Sequence, residues 1–366
     1  MKLNEICEVY SGYAIKKFNN IKNGLPVIKI GNILLDGTLN LGECQFSTED
    51  INEKYHSKKG DIYIALSGAT TGKLGIMEDE KKFIINQRVG VIRLKQKSIS
   101  QSYIKYYLLK QTERIIDEAT GCAQPNISPK QIGEYDIPVF SEKEMLQISN
   151  VLNNIECVIK HYKVMLEKYD DLIKARFVEM FGDPVYNPKG WEIVTIREVT
   201  DDVRYGTSAP STEEGKFPYL RMNNITNDGH LDLTDLKYID ISNDEIDKYA
   251  VKKGDVLFNR TNSIELIGKT TAFNLDETMI IAGYIIRLRM NKKMLPEVLS
   301  QYMNLEVVKK KLRSMAKGAV NQANINAQEL QSIRIYLPPI ELQQQFVDFV
   351  KQVDKSKFIQ MIVQYK

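Results

Sequence analysis

The run Ser263-Ile264-Glu265-Leu266-Ile267-Gly268-Lys269-Thr270 ends in the Gly-Lys-Thr of a phosphate-binding loop, where backbone N–H groups and a lysine ammonium neutralise a nucleotide's phosphates. Serine stands at the first glycine position, however, and the run follows an asparagine-rich turn instead of opening a helix. Gly68-Ala69-Thr70-Thr71-Gly72-Lys73-Leu74 is one residue too short and lacks the hydroxyl that would hold magnesium. The histidines His56, His161 and His230 do not cluster, and Cys7, Cys44, Cys122 and Cys157 lie far apart with no Cys-x-x-Cys. Neither a zinc site nor a disulfide framework is expected.

Asp183-Pro184-Val185-Tyr186 faintly resembles the Asp-Pro-Pro-Tyr of amino-methyltransferases, whose acidic or amide side chain and proline carbonyl hold the target amine. Here the second proline is missing and the tetrapeptide follows a helix end, so a turn is expected. No Gly-x-Ser-x-Gly elbow, His-Glu-x-x-His pair or dinucleotide fingerprint occurs. The chain carries no self-sufficient active site. What remains chemically distinctive is basic: Lys58-Lys59, then Lys81-Lys82 with Arg88, Arg93, Lys95 and Lys97, then Lys309-Lys310-Lys311 with Arg313 and Lys317. Such islands suit phosphates, and they equally suit solvated faces. The net charge of +3 decides nothing between the two.

The elements that carry these residues are duplicated. Gly24-Leu25-Pro26-Val27-Ile28-Lys29-Ile30-Gly31-Asn32-Ile33 reads as a strand entered from a turn, and Lys216-Phe217-Pro218-Tyr219-Leu220-Arg221-Met222-Asn223-Asn224-Ile225 repeats it. Lys58-Lys59-Gly60-Asp61 turns into the strand Ile62-Tyr63-Ile64-Ala65; Lys252-Lys253-Gly254-Asp255 turns into Val256-Leu257-Phe258, 194 residues later. The correspondence continues through Gly72-Lys73 and Gly268-Lys269, the strands 91–94 and 285–288, two helical segments, and Gln124-Pro125-Asn126-Ile127 against Gln322-Ala323-Asn324-Ile325. A chain of 366 residues has room for two such mixed domains, each followed by a helix. Its 43% hydrophobic and 27% charged content is that of an ordinary globular protein. No apolar run approaches bilayer length and Met1-Lys2-Leu3-Asn4 lacks a secretory core, so a cytoplasmic location is expected.

Between the domains, Met145, Ile148, Leu152, Ile155, Ile159, Tyr162, Leu166, Tyr169 and Ile173 alternate at spacings of three and four. That is a coiled-coil seam. Ser141 with Glu144 forms a capping box at its start, and Gly182-Asp183-Pro184 stops it. A helix of about 40 residues would be roughly 60 Å long. Its expected partner is a second helix opening at Pro338-Pro339, with Phe346, Val350 and Val353 equivalent to Ile148, Leu152 and Ile155. The later apolar residues Phe358, Met361, Ile362 and Tyr365 fall out of phase, so the second helix should pair over a shorter length.

With the repeat and helix in view, the chain resembles the DNA-specificity (S) subunits of type I restriction-modification systems. The resemblance is carried by Phe177-Val178-Glu179-Met180-Phe181-Gly182-Asp183-Pro184, by Gly190-Trp191-Glu192-Ile193-Val194, and by Ile335-Tyr336-Leu337-Pro338-Pro339-Ile340-Glu341-Leu342-Gln343-Gln344-Gln345. It implies an α/β (α+β) fold with two mixed target recognition domains in tandem, joined by two long antiparallel helices in a pseudo-twofold coiled coil. The boundaries expected are 1–140 and 182–338 for the domains, 141–181 for the first helix and 339–366 for the shorter second. It further implies a non-catalytic subunit that reads a bipartite site in double-stranded DNA, with two methyltransferase subunits and motor-nuclease restriction subunits as partners. No cofactor is expected on this chain; S-adenosylmethionine, ATP and Mg2+ belong to those partners, and no membrane is involved. Phe140-Ser141-Glu142 in place of a double proline, and the short second helix, depart from the family pattern.

Reading bases requires donors and acceptors at strand ends: Arg or Lys toward guanine, Asn or Gln toward adenine. The first domain offers Ser67, Thr70, Lys73, Asn86, Gln87, Arg88, Gln124 and Asn126. The second offers Tyr205, Arg221, Asn223, Asn259, Arg260, Asn262, Lys269, Gln322 and Asn324. Any of these could instead cap a turn. The equivalent pairs Lys73/Lys269, Gln124/Gln322 and Asn126/Asn324 are candidates for scaffold, because shared residues cannot distinguish two half-sites. Arg88 and Arg260 have no counterpart and are the first choices as base readers. The competing readings are a stand-alone DNA methyltransferase or nuclease with degenerate motifs, and a coiled-coil scaffold that does not touch DNA.

Overall fold

The computed structural model describes residues 1–20, 23–96, 99–119, 125–319 and 322–363. The chain divides into two compact units, Met1–His161 and Tyr162–Lys366, and the division falls inside the long helix.

In the first unit, Ile62-Tyr63-Ile64-Ala65 is buried on both sides. Alternation sends Ile62 and Ile64 toward the helices Gln101–Lys110 and Thr112–Ala119, and Tyr63 and Ala65 toward Ile28, Ile85 and Val89. A continuous apolar run is what such a central strand needs. Its sheet is antiparallel, in the order Cys7–Ser11, Val89–Leu94, Ile62–Ala65, Leu74–Ile76. A second sheet sets Leu25–Ile28 between Gln45–Ser47 and the parallel Ile84–Ile85.

The second unit repeats the order: Thr200–Tyr205, Ile285–Met290, Asp255–Asn259, Thr270–Ala272, again antiparallel. Its second sheet orders Lys237–Ile239, Phe217–Leu220, Met279–Ile281 and Ala250–Val251. Two single bridges of the first unit, Ser67 with Asn126 and Lys2 with Asp136, become paired strands here. They are Thr261–Asn262 against Gln322–Asn324, and Glu192–Thr195 against Arg334–Leu337.

The repeated Lys-Lys-Gly-Asp is a structural staple. Gly60 and Gly254 take φ of +95° and +92°, which only glycine adopts without strain. Asp61 then accepts the Lys58 N–H at 2.8 Å and both arms of Arg93 at 2.7 Å. Asp255 does the same with Lys252 at 2.9 Å and with Arg289 at 2.9 and 3.0 Å. Arg93, counted above in a basic island, is therefore committed to the fold.

Glu142–Phe181 is one helix of 40 residues. Glu144 N–H donates to Ser141 Oγ at 3.3 Å and Ser141 N–H donates to the Glu144 carboxylate at 3.0 Å, which is the expected reciprocal cap. At the other end Gly182 takes φ of +85°. There Trp191 Nε1–H donates to the Phe181 carbonyl at 2.8 Å and Tyr336 O–H to the Gly182 carbonyl at 3.0 Å. Two aromatics thus satisfy carbonyls that a helix C-terminus leaves unpaired.

The terminal helix Ile340–Val363 packs on the second half of this helix. Phe346 meets Phe177 and Phe181 edge-on at 5.3 and 5.5 Å, and Lys357 Nζ reaches Asp170 at 2.6 Å, so the two run antiparallel. Ile173 and Val353 are buried there, with Tyr169 and Val350 half-buried against the same cluster. Tyr162 and Leu166 are half-buried too. The seam differs from expectation in the first unit. Met145 is buried in the core of its own domain and Leu152 half-buried, whereas Ile148, Ile155 (50% exposed) and Ile159 face solvent. The reason is a second periodicity: Met145, Ser149, Leu152 and Glu156 form the face turned to the domain, where Lys105 and Tyr106 bind Glu156 at 2.6 and 2.7 Å. The side chains of Phe358, Met361, Ile362 and Tyr365 lie outside the described residues.

Candidate nucleic-acid interface

The near-misses for chemistry resolve as turns. Thr270 opens a strand, and Lys269, only 8% exposed, donates to the carbonyls of Ile225 at 2.9 Å and Met222 at 3.4 Å. Burial lowers its pKa. No helix follows to complete a phosphate loop, and an ammonium spent on backbone carbonyls is withdrawn from the DNA-reading set. Asp183 Oδ1 accepts the Val185 N–H at 2.7 Å inside a tight turn.

Further candidates also turn inward. Asn259 is fully buried; its amide faces the carbonyls of Thr261 and Tyr284 at 3.4 Å, and its oxygen accepts from Asn262 at 3.1 Å. Asn262 in turn accepts the Ser263 N–H at 2.9 Å. Asn86 is buried, donating to Gln87 at 2.9 Å and accepting the Arg88 N–H at 3.2 Å. These asparagines shape the loops, as buried amides must find partners. The basic islands are partly engaged as well: Lys309 is buried against the Asn227 carbonyl, while Lys59 pairs with Glu80, Lys82 with Glu53, Arg313 with Glu306 and Lys317 with Glu329 nearer the surface.

Most of the remaining candidate readers lie at one end of the wholly antiparallel four-stranded sheet of each unit. In the first unit that end is marked by Ser11 opposite Gly90 and Ala65 opposite Val89, and carries Gln87, Arg88 and Asn126, with Ser67 half-buried beside them and its Oγ closed off from solvent. Gln87, Arg88 and Asn126 are exposed, and Arg88 makes no ion pair among the described residues. Thr70 and Lys73 lie half-buried in the following turn, Lys73 lining a recess with Leu35, Leu109 and Ile116. Gln124 lies outside the described residues.

In the second unit the same end is marked by Tyr205 opposite Ile286 and Asn259 opposite Ile285. Arg260 sits there with its guanidinium 4.9 Å from the centre of the Tyr205 ring, and Nη2–H donates to Asn324 Oδ1 at 3.0 Å. Tyr205 is itself pinned, its hydroxyl accepting the Ala327 N–H at 2.7 Å. Arg260 lines one recess with Arg221, Asn223 and Tyr284. Arg221 reaches Asp235 at 2.8 Å and Asn223 is exposed. Gln322 lies in the strand beside it. The arrangement presents an oriented guanidinium with donors left over, the fork that matches a guanine edge or a phosphate.

A sequence model of the type I restriction modification DNA specificity domain matches residues 1–161 and 188–362. The chain belongs to this family. It is similar to the EcoKI type I restriction enzyme specificity subunit of Escherichia coli K12, 22% identical over 351 residues, 90% of this chain and 75% of that one. A sequence assigned as the MjaX specificity subunit of Methanocaldococcus jannaschii is 31% identical over 171 residues. That match spans less than half of either chain, 46% of this one and 40% of the other. Among solved structures, the S subunit of the M. genitalium type I system shares the fold at a TM-score of 0.53 and 17% identity, over 98% of this chain and 89% of that one.

Within this specificity-family chain, residue types alone missed four residues. Tyr284 stands in the run Ile281-Ala282-Gly283-Tyr284-Ile285, with no amide or basic neighbour in sequence to mark it. Asn224 and its equivalent Asn32 are buried turn formers, each accepting the N–H three residues earlier at 2.9 and 2.8 Å. Gln343, in the motif that carried the resemblance, is fully buried and binds Leu295, Lys293 and Pro338 at 2.8 to 3.0 Å. Repetition of Asn32 and Asn224 at equivalent places was the available signal.

Proposed function

We propose that the protein is the non-catalytic, sequence-reading subunit of a type I restriction-modification complex, recognising a split site in double-stranded DNA. It would direct methyltransferase and restriction subunits to that site; two methyltransferase copies fit a duplicated chain. One observation supports this best: a single scaffold is repeated, and at the same sheet end the two copies carry unlike polar residues. Two identical surfaces would read a palindrome, whereas unlike surfaces suit an asymmetric bipartite target. No helix among the described residues is long and apolar enough to cross a membrane. S-adenosylmethionine, ATP and Mg2+ are assigned to the partner subunits.

The test is reconstitution. Purified chain, methyltransferase subunit and the mixture are each assayed for methyl transfer to genomic DNA, and the modified positions are mapped. Methylation at a bipartite motif only in the mixture supports the proposal. Methyl transfer or cleavage by this chain alone would favour a stand-alone enzyme, and a mixture whose motif is unchanged by omitting the chain would favour a scaffold.

A further inference from the structure

The two units can be aligned by their hydrogen bonds, without reference to residue type. Leu66 N–H donates to the Arg88 carbonyl and the Leu66 carbonyl accepts from Ile127, both at 2.9 Å. Arg260 N–H donates to the Tyr284 carbonyl and the Arg260 carbonyl accepts from Ile325, also at 2.9 Å. Leu66 and Arg260 therefore hold one place in the repeat, and Arg88 and Tyr284 hold the neighbouring one.

At the first place the first unit has a leucine buried in its core, and the second unit has the arginine clamped by Tyr205 and Asn324. At the second place the first unit has an exposed arginine, and the second unit a tyrosine 49% open to solvent. Each unit thus offers one arginine on this pair of adjoining places, but on opposite members. The clamp is peculiar to the second unit as well. Gly12 and Gly206 are equivalent, since a Cβ on either would meet the carbonyl of Ile85 or Ile281 at 2.3 or 2.1 Å. The residues before them, Ser11 and Tyr205, supply a ring only where an arginine lies above it.

We propose that Tyr284 is a specificity-determining residue, contacting the base pair next to the one read by Arg260. Its ring takes in the second domain the place that Arg88 holds in the first. This rests on the DNA-reading function above. An aromatic face discriminates by the 5-methyl group of thymine and by shape, so the adjoining position should not prefer guanine, whereas the base pair facing Arg88 should.

The test uses the chain assembled with its methyltransferase subunits and duplexes carrying each single base-pair change across both half-sites, in competition binding at fixed salt. Tyr284→Ala should cut discrimination at one base pair of the second half-site at least fivefold and leave ratios at the first half-site within twofold. Tyr284→Phe should retain most of that discrimination, and Tyr284→Arg should move the preference there to guanine. Ratios unchanged in all three variants, or a uniform loss across every duplex, would overturn the assignment. Failure of the DNA-reading function would show differently, as a wild-type complex with no preference among the duplexes.

Discussion

Two kinds of arginine occur in this chain, and the structure separates them by partner. Arg93 and Arg289 are consumed by Asp61 and Asp255, while Arg260 is held by groups that leave its charge unneutralised. Arg260→Ala should therefore lose about 1–3 kcal/mol of binding at one base pair of the second half-site, read by competition with a singly changed duplex. Equal affinity of wild type and variant for the preferred duplex would remove Arg260 from the readers. The staples give a stability prediction. Asp61→Ala leaves Arg93, whose side chain is only 13% exposed, with the His56 carbonyl but no counter-charge, and should cost about 3–5 kcal/mol. Asp255→Ala leaves Arg289 36% exposed, where water repairs part of the loss, and should cost about 1–3 kcal/mol. Urea midpoints with hydrogen exchange resolved to each unit would check the order, and a reversed order would contradict it.

Helix pairing in the second unit depends on a short aromatic cluster and one ionic contact. Phe346 is fully buried between Phe177 and Phe181, so Phe346→Ala should cost about 3–5 kcal/mol and expose the adjoining helix faces to exchange. Protection unchanged along the terminal helix would refute that. Asp170 accepts from Lys357 at 2.6 Å and faces His230 Nε2 at 3.3 Å. Burial works to raise the Asp170 pKa, but the bonds from His230 and Lys357 prevail and hold it at about 2. The Asp170 hydrogen bond raises the His230 pKa above its ordinary 6.5. The signs follow from linkage. His230 contributes fully below pH 6.5 and its contribution fades as pH rises through the higher folded value; Asp170 contributes above its ordinary 3.8 and fades as pH falls toward 2. Wild type should lose more stability than His230→Gln between pH 6 and pH 8. Parallel pH profiles for the two proteins would show that the histidine is a bystander.

For the whole molecule, duplication makes the two proposed reading surfaces separate in sequence and in the protein groups that hold them. Residues without shared partners contribute additively. Arg88→Ala and Arg260→Ala combined should thus lower binding by the sum of the single effects, within about 0.5 kcal/mol. A coupling well above that would mean that one domain's engagement alters the other's. Sequence by itself determined the repeat, the helix and its caps, because turn glycines, apolar alternation and heptad spacing are local rules that each stretch must obey alone. It could not decide which polar residues face outward. Asn86, Asn259, Lys269 and Lys309 have the composition of readers, yet each sits where a neighbouring strand or loop leaves a backbone group in need of a partner. Nor could it tell that Ile148 and Ile155 stay in water while Ile173 is covered, since a stripe is written in one helix and its burial is supplied by another. Burial and partnership are properties of residues far apart in the chain, and only the folded arrangement brings them together.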